Sequence, residues 1–149
     1  MTEDLLIPHD ALILVADGRK ALILRNEGSL TAPRLVVERT IAAPPNSPDH
    51  EQGADRPGRV FKGDRRAAVG DTDRHELAER RFAAAVADAF NAEAGAAPDA
   101  ALLIVAPAPT LAALRAALPQ ALRARVIAEI AKDLVNHPAD EIRKVLAGA

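Results

Sequence analysis

Ala11-Leu12-Ile13-Leu14-Val15-Ala16-Asp17-Gly18-Arg19-Lys20-Ala21-Leu22-Ile23-Leu24 carries two compact apolar runs split by an Asp-Gly dipeptide. Asp-Gly favours a tight hairpin because glycine tolerates positive φ, so the stretch predicts two antiparallel strands, Ala11–Ala16 and Ala21–Leu24. Arg34–Ile41 (RLVVERTI) is rich in β-branched residues and predicts a third strand, after a turn around Asn26–Ala32. Three consecutive strands joined by short turns make a meander. Ala43-Pro44-Pro45-Asn46-Ser47-Pro48 then ends regular structure, since proline cannot donate to a ladder and restrains the residue before it.

The remainder alternates helix and strand. Asp73 is a candidate N-cap, with Glu76 three positions on, and Phe82, Val86, Ala89, Phe90 and Glu93 share one face of the long helix that follows. Gly95 and Pro98 stop it. Ala101–Ala106 (ALLIVA) is continuously apolar, as a strand buried on both faces would be. Pro107–Leu118 predicts a helix capped by Thr110, with Leu111, Leu114 and Leu118 inward, and Pro119 opens a short turn to Leu122. Val126–Ala131 predicts a fifth strand. Pro138 opens a last helix with Ile142, Val145 and Leu146 as its buried stripe.

The order β-β-β-α-β-α-β-α predicts a single α/β domain over 1–149, with a five-stranded mixed sheet and helices on both faces. It resembles the ribonuclease H-like arrangement, in which strands 1, 4 and 5 run parallel and strand 2 is opposed. Val36 and Ile127 are expected in its core along with Ile13, Val15, Leu103 and Val105.

Composition narrows the function. The 149 residues have a formal charge of −2, so a basic surface has to be local. The only aromatics are Phe61, Phe82 and Phe90, leaving Ala, Leu, Val and Ile to build the core. The absence of cysteine removes disulfides, thiol nucleophiles and the usual structural zinc sites. Met1–Asp10 lacks a basic n-region and a long apolar run, and no stretch is apolar enough to span a membrane. A cytoplasmic protein is expected; the oligomeric state is not legible.

Between the meander and the long helix, residues 43–74 read as a long polar loop, and such loops in compact domains are usually functional or disordered. Arg56, Arg59, Lys62, Arg65 and Arg66 face a single acid, Asp64, within Arg56–Arg66. These cations suit phosphate contacts, and Pro57, Gly58 and Phe61 shape or anchor the loop. The alternative is a solvated loop whose charges pair with Asp55, Asp64 and Asp71. Gly58–Gly63 has phosphate-loop spacing, but Asp64-Arg65 stands where Lys-Ser or Lys-Thr is required. If the segment is extended, Arg59 and Phe61 point the same way and Val60 the other. The scarcity of aromatics favours Phe61 as a structural pin; the other reading makes it a recognition residue.

Candidates for chemistry are thin. Asp71, Asp73, His75 and Glu76 cluster where a helix start is expected, and His50 lies in the loop, but acids there also complement the helix dipole. Asp17 with Glu76 or Glu79 begins a nuclease carboxylate set, yet the fourth strand ends in Val105-Ala106-Pro107 with no acid, and Asp17 has a sufficient role as a turn residue. Ser29 and Ser47 are the only serines, and Ser47-Pro48-Asp49-His50 lacks the setting of a triad. No catalytic residue, metal ligand or cofactor is assigned.

Asp55-Arg56-Pro57-Gly58-Arg59-Val60-Phe61, Arg65-Arg66-Ala67, Asp73-Arg74-His75-Glu76 and Arg81-Phe82-Ala83 resemble the bacterial family named for attachment to host cells. So do Leu14–Gly18, Leu24-Arg25-Asn26 and the close at Glu129-Ile130, Lys132-Asp133-Leu134 and Glu141-Ile142. The resemblance covers nearly the whole chain. It implies kinship with the central domain of archaeo-eukaryotic class 1 release factors, which has the ribonuclease H-like arrangement. There the segment between meander and long helix carries a Gly-Gly-Gln that helps hydrolyse peptidyl-tRNA. This chain has only Gln52 and Gln120, and no Gly-Gly-Gln. The implied function is a non-catalytic module bound to RNA or the ribosome through the basic loop, with Asp73 and His75 supporting it. The alternatives are a hydrolase of esters or phosphodiesters, and a protein-interaction module linked to attachment.

Overall fold

The computed structural model describes residues 6–43 and 57–147, with the backbone alone described over 57–75. Among the described residues five strands form one sheet: β1 (Leu12–Ala16), β2 (Lys20–Asn26), β3 (Leu35–Ala42), β4 (Leu102–Val105) and β5 (Val126–Ile130). Their order is β3-β2-β1-β4-β5, and β1–β2 and β2–β3 are antiparallel while β1–β4 and β4–β5 are parallel. The helices among the described residues are α1 (Pro57–Gly95), α2 (Ala108–Ala117), the short α3 (Gln120–Arg123) and α4 (Ala139–Ala147).

Strand periodicity splits the apolar residues into two cores. Leu12, Leu14 and Ala16 of β1, with Leu102 and Ile104, face α1, α2 and α3. Ile13 and Val15, with Leu103 and Val105, face Leu134, Val135 and α4 through Ile142 and Leu146. Helices therefore cover both faces of the sheet. Phe82, Val86, Ala89 and Phe90 are buried along α1 as their spacing predicts, each large side chain contributing about 1.5–3 kcal/mol. Arg125 closes the C-terminal end of that helix. Its Nη1 donates to Ala94 O (3.0 Å), and its Nη2 donates to Ala97 O (2.7 Å) and Ala100 O (2.8 Å). A cation there satisfies carbonyls that the helix cannot.

Asn26 is the single fully buried polar side chain among the described residues. Its Nδ2 donates to Ile7 O (2.8 Å), Pro8 O (3.1 Å) and Ser29 O (3.3 Å), while Oδ1 accepts from the N–H groups of Gly28 (2.9 Å) and Arg34 (2.8 Å). One amide thus ties the approach to β1 to the turn between β2 and β3. Gly28 is required by space: a Cβ there would stand 2.2 Å from Ala32 O.

Several expectations are corrected. Residues 57–74, expected within a loop, are the first half of α1, which makes Asp73 an interior position and not an N-cap. Pro57 is compatible because the first helical residue needs no N–H partner. Thr110 does not cap α2; Pro107 holds the N-cap position without a side-chain bond, and the helix has already begun at Ala108. Ile127 is 54% exposed because Leu102 pairs with Val126 and Leu103 with Ala128, leaving Ile127 as the extra residue of a bulge. Val36 is only half-buried on the edge strand β3, and Val145 is 37% exposed beside the buried Ile142 and Leu146.

Asn26→Ala is expected to lower unfolding free energy by roughly 2–4 kcal/mol, because it strands buried carbonyls and N–H groups together. Urea denaturation checks this; a loss below about 0.5 kcal/mol would mean that water replaces the amide at no cost.

Candidate functional site

The basic run sits on a helix. Arg59, Lys62, Arg65 and Arg66 are positions of α1 near its N-terminal end, while Arg56 lies outside the described residues. The side chains of these four cations, like those of Pro57, Phe61, Asp73 and His75, fall in the stretch where only the backbone is described, as does Gly58, and His50 and Ser47 lie outside the described residues. Helical backbone changes the expected relation between Arg59 and Phe61: residues two apart in a helix are about 200° apart, so they occupy opposite sides rather than one. Glu76 to Arg81 are all exposed, and Phe82 is the first buried residue of α1 among those described. About 37 Å of helix precedes that point.

A second feature lies where the parallel strands β1 and β4 end, the usual place for ligands in open α/β sheets. Asp17, Gly18, Glu79, Phe82, Pro109 and Thr110 line a small cleft there. The Asp17 carboxylate is committed to the hairpin: Oδ1 accepts from the N–H groups of Arg19 and Lys20, both at 2.8 Å. The Asp17 N–H donates to Lys20 O at 2.9 Å, completing an Asx-type turn. Gly18 does not adopt the positive φ expected of it. It is approached by Glu79, whose Oε2 lies 3.3 Å from where a Cβ would stand.

Glu79, although exposed, lies on the side of α1 that carries Phe82 and Val86, three and seven residues further on, and its carboxylate approaches the hairpin. That heptad offset was a usable signal in the sequence. The cleft volume is about 20 Å³, room for about one water and not a substrate. Among the described residues no three His, Asp or Glu side chains converge as a metal site.

The model of the family described as "Protein required for attachment to host cells" matches residues 12–146. The chain belongs to this family. No curated protein matches it significantly. The match spans the five described strands and the whole of α1, so the basic run and the Asp17 turn both lie inside the family's unit. Among the described residues, no helix is long and apolar enough to cross a membrane.

The hairpin assignment makes a graded prediction. Asp17→Asn keeps an oxygen for both N–H groups and is expected to leave the melting temperature nearly unchanged, whereas Asp17→Ala loses both bonds and about 1–2 kcal/mol. Equal losses in the two variants, read by thermal denaturation, would mean that the charge and not the turn matters.

Proposed function

We propose that this member of the family is a non-catalytic RNA-binding module of release-factor descent, acting on the ribosome or its RNA through the N-terminal part of α1. The observation that carries the reading is the placement of the basic run: four cations lie at the start of a helix that continues about 37 Å before its first described buried residue. With 3.6 residues per turn, positions 59, 62 and 66 fall along one side of that helix, a spacing suited to successive phosphates. The strand order β3-β2-β1-β4-β5, with β2 alone opposing β1 and β4, supports a ribonuclease H-like arrangement and so the proposed descent. Lacking Gly-Gly-Gln, the module binds without releasing peptide.

A hydrolase reading has less to stand on. Its best carboxylate, Asp17, already serves two backbone N–H groups, and the adjoining cleft admits about one water. The family description names a process, attachment, and that process is compatible with an RNA-directed role upstream of it.

Cosedimentation of the full chain with ribosomes, and filter binding to single-stranded RNA at graded salt, test the proposal. Binding is expected to weaken linearly on a log–log plot, and replacing Arg59, Lys62 and Arg66 by alanine is expected to lower the slope by roughly two. The triple variant should keep the parent's melting temperature. Absence of binding at low salt sinks the reading, and metal-dependent RNA cleavage would replace it with the hydrolase.

A further inference from the structure

The outer edge of β3 carries an order of its own. Among the described residues nothing pairs with that edge, since β3 ends the sheet. Two hydrogen bonds fix which way its backbone groups face. Glu27 N–H donates to Arg34 O at 2.8 Å at one end, and Ala43 N–H donates to Arg19 O at 2.8 Å at the other. Arg34 and Ala43 therefore turn their polar groups inward to β2 and its turn. Antiparallel alternation then puts Val36, Arg39 and Ile41 inward, and Leu35, Val37, Thr40 and Ala42 outward. Glu38 is the extra residue between them, because Leu24 pairs with Val37 and Ile23 with Arg39.

A bulge usually protects an edge by breaking the outward phase. Here the break is symmetric. The outward residues 35, 37, 40 and 42 are related by a two-fold axis between Glu38 and Arg39, the midpoint of the strand. That axis sets Leu35 against Ala42 and Val37 against Thr40 of a second strand, every one of them outward. The faces agree as well: Val37 and Thr40 pair with Leu24 and Leu22, both of which lie in the α4-side core.

We propose that β3 pairs antiparallel with β3 of a second copy of this chain about that axis, forming a continuous ten-stranded sheet. Charge complementarity selects the occupant. Glu38 of each copy meets Arg39 of the other, and each already has an opposite charge within its own copy, away from the junction: Arg25 Nε stands 3.5 Å from Glu38, and Glu93 Oε2 stands 3.8 Å from Arg39. The junction is thus an alternating network of charges. Val37, 42% exposed, packs on Thr40 of the second copy, and Val36 meets Ile41, a β-branched pair of the kind that stabilises sheets. A closed, isologous two-fold contact of this kind ends at the dimer.

Sedimentation equilibrium of the full chain over a concentration series is expected to give a monomer–dimer equilibrium. Glu38→Lys should raise the dimer dissociation constant about tenfold or more, since two symmetry-related pairs go from attraction to repulsion. Adding Arg39→Glu should recover part of the affinity, since opposite charges again meet across the junction while each now opposes Arg25 or Glu93 within its own copy. The chain has no cysteine, which permits a second readout that does not depend on affinity. Val36 and Ile41 of one copy are about 17 Å apart along the strand, but across the proposed junction they form a close pair within disulfide range. The Val36→Cys, Ile41→Cys double variant should therefore yield a covalent dimer under mild oxidation, and either single variant should not. Monomer at every concentration overturns the proposal, as does a dimer that charge reversal leaves intact and the cysteine pair fails to link.

Discussion

Burial of β1 on both faces is the constraint on which the rest of the fold depends. All five of its residues, Leu12 to Ala16, are at most 1% exposed. A strand with no solvent face must be paired on both edges and covered above and below, since each backbone polar group left dry costs free energy. β2 and β4 supply the edges, α1 and α2 one cover, α4 and the segment before it the other. With almost no aromatic residues available, the covers must approach closely. Ala83, Ala87 and Ala94 on α1 permit this, and Phe82 and Phe90 fill the space that remains.

Central strands of this kind are the part of a fold most readily read from sequence. Leu12–Ala16 and Leu102–Val105 are continuous apolar runs, and each came within one residue of its predicted bounds at either end. What sequence did not reveal lies where a local signal competes with a tertiary one. Ile127 has the pattern of an inward residue, but the bulge opposite Leu102 and Leu103 expels it, and no property of VIAEI announces a bulge. Thr110 is a good cap by type. The chain nevertheless enters α2 two residues earlier, through Pro107. Asn26 and Arg125, the two polar anchors, work through backbone carbonyls distant in sequence, which no spacing rule encodes.

The stretch from Pro57 to Arg74 is the most instructive difference. Gly58, Gly63 and Gly70 each disfavour helix by about 1 kcal/mol relative to alanine, and Pro57 is a breaker everywhere except the first turn. Summed locally, these residues read as loop. Helix formation is cooperative, however, and its cost lies in nucleation. Once Phe82 to Phe90 are held against the sheet, each added residue extends an existing helix and need not start one. The basic residues are unchanged by this, but their spacing now follows the turn of a helix in place of an extended chain.

That arrangement divides α1 into parts under different physical demands. From Phe82 to Ala94 every third or fourth residue is fixed by the core, and Arg125 fixes the end. Glu79 marks the boundary: it keeps the packed stripe's register yet meets a glycine turn where the sheet would have been. N-terminal to it, Glu76 and Leu77 are exposed although the helix is unbroken. Glu76 to Arg81 are thus free of the packing that fixes Phe82 to Phe90. Surface substitutions there cost little stability, typically within about 0.5 kcal/mol. Among the residues whose side chains are described, the fold thus confines the core contacts of α1 to its C-terminal part, from Phe82 onward.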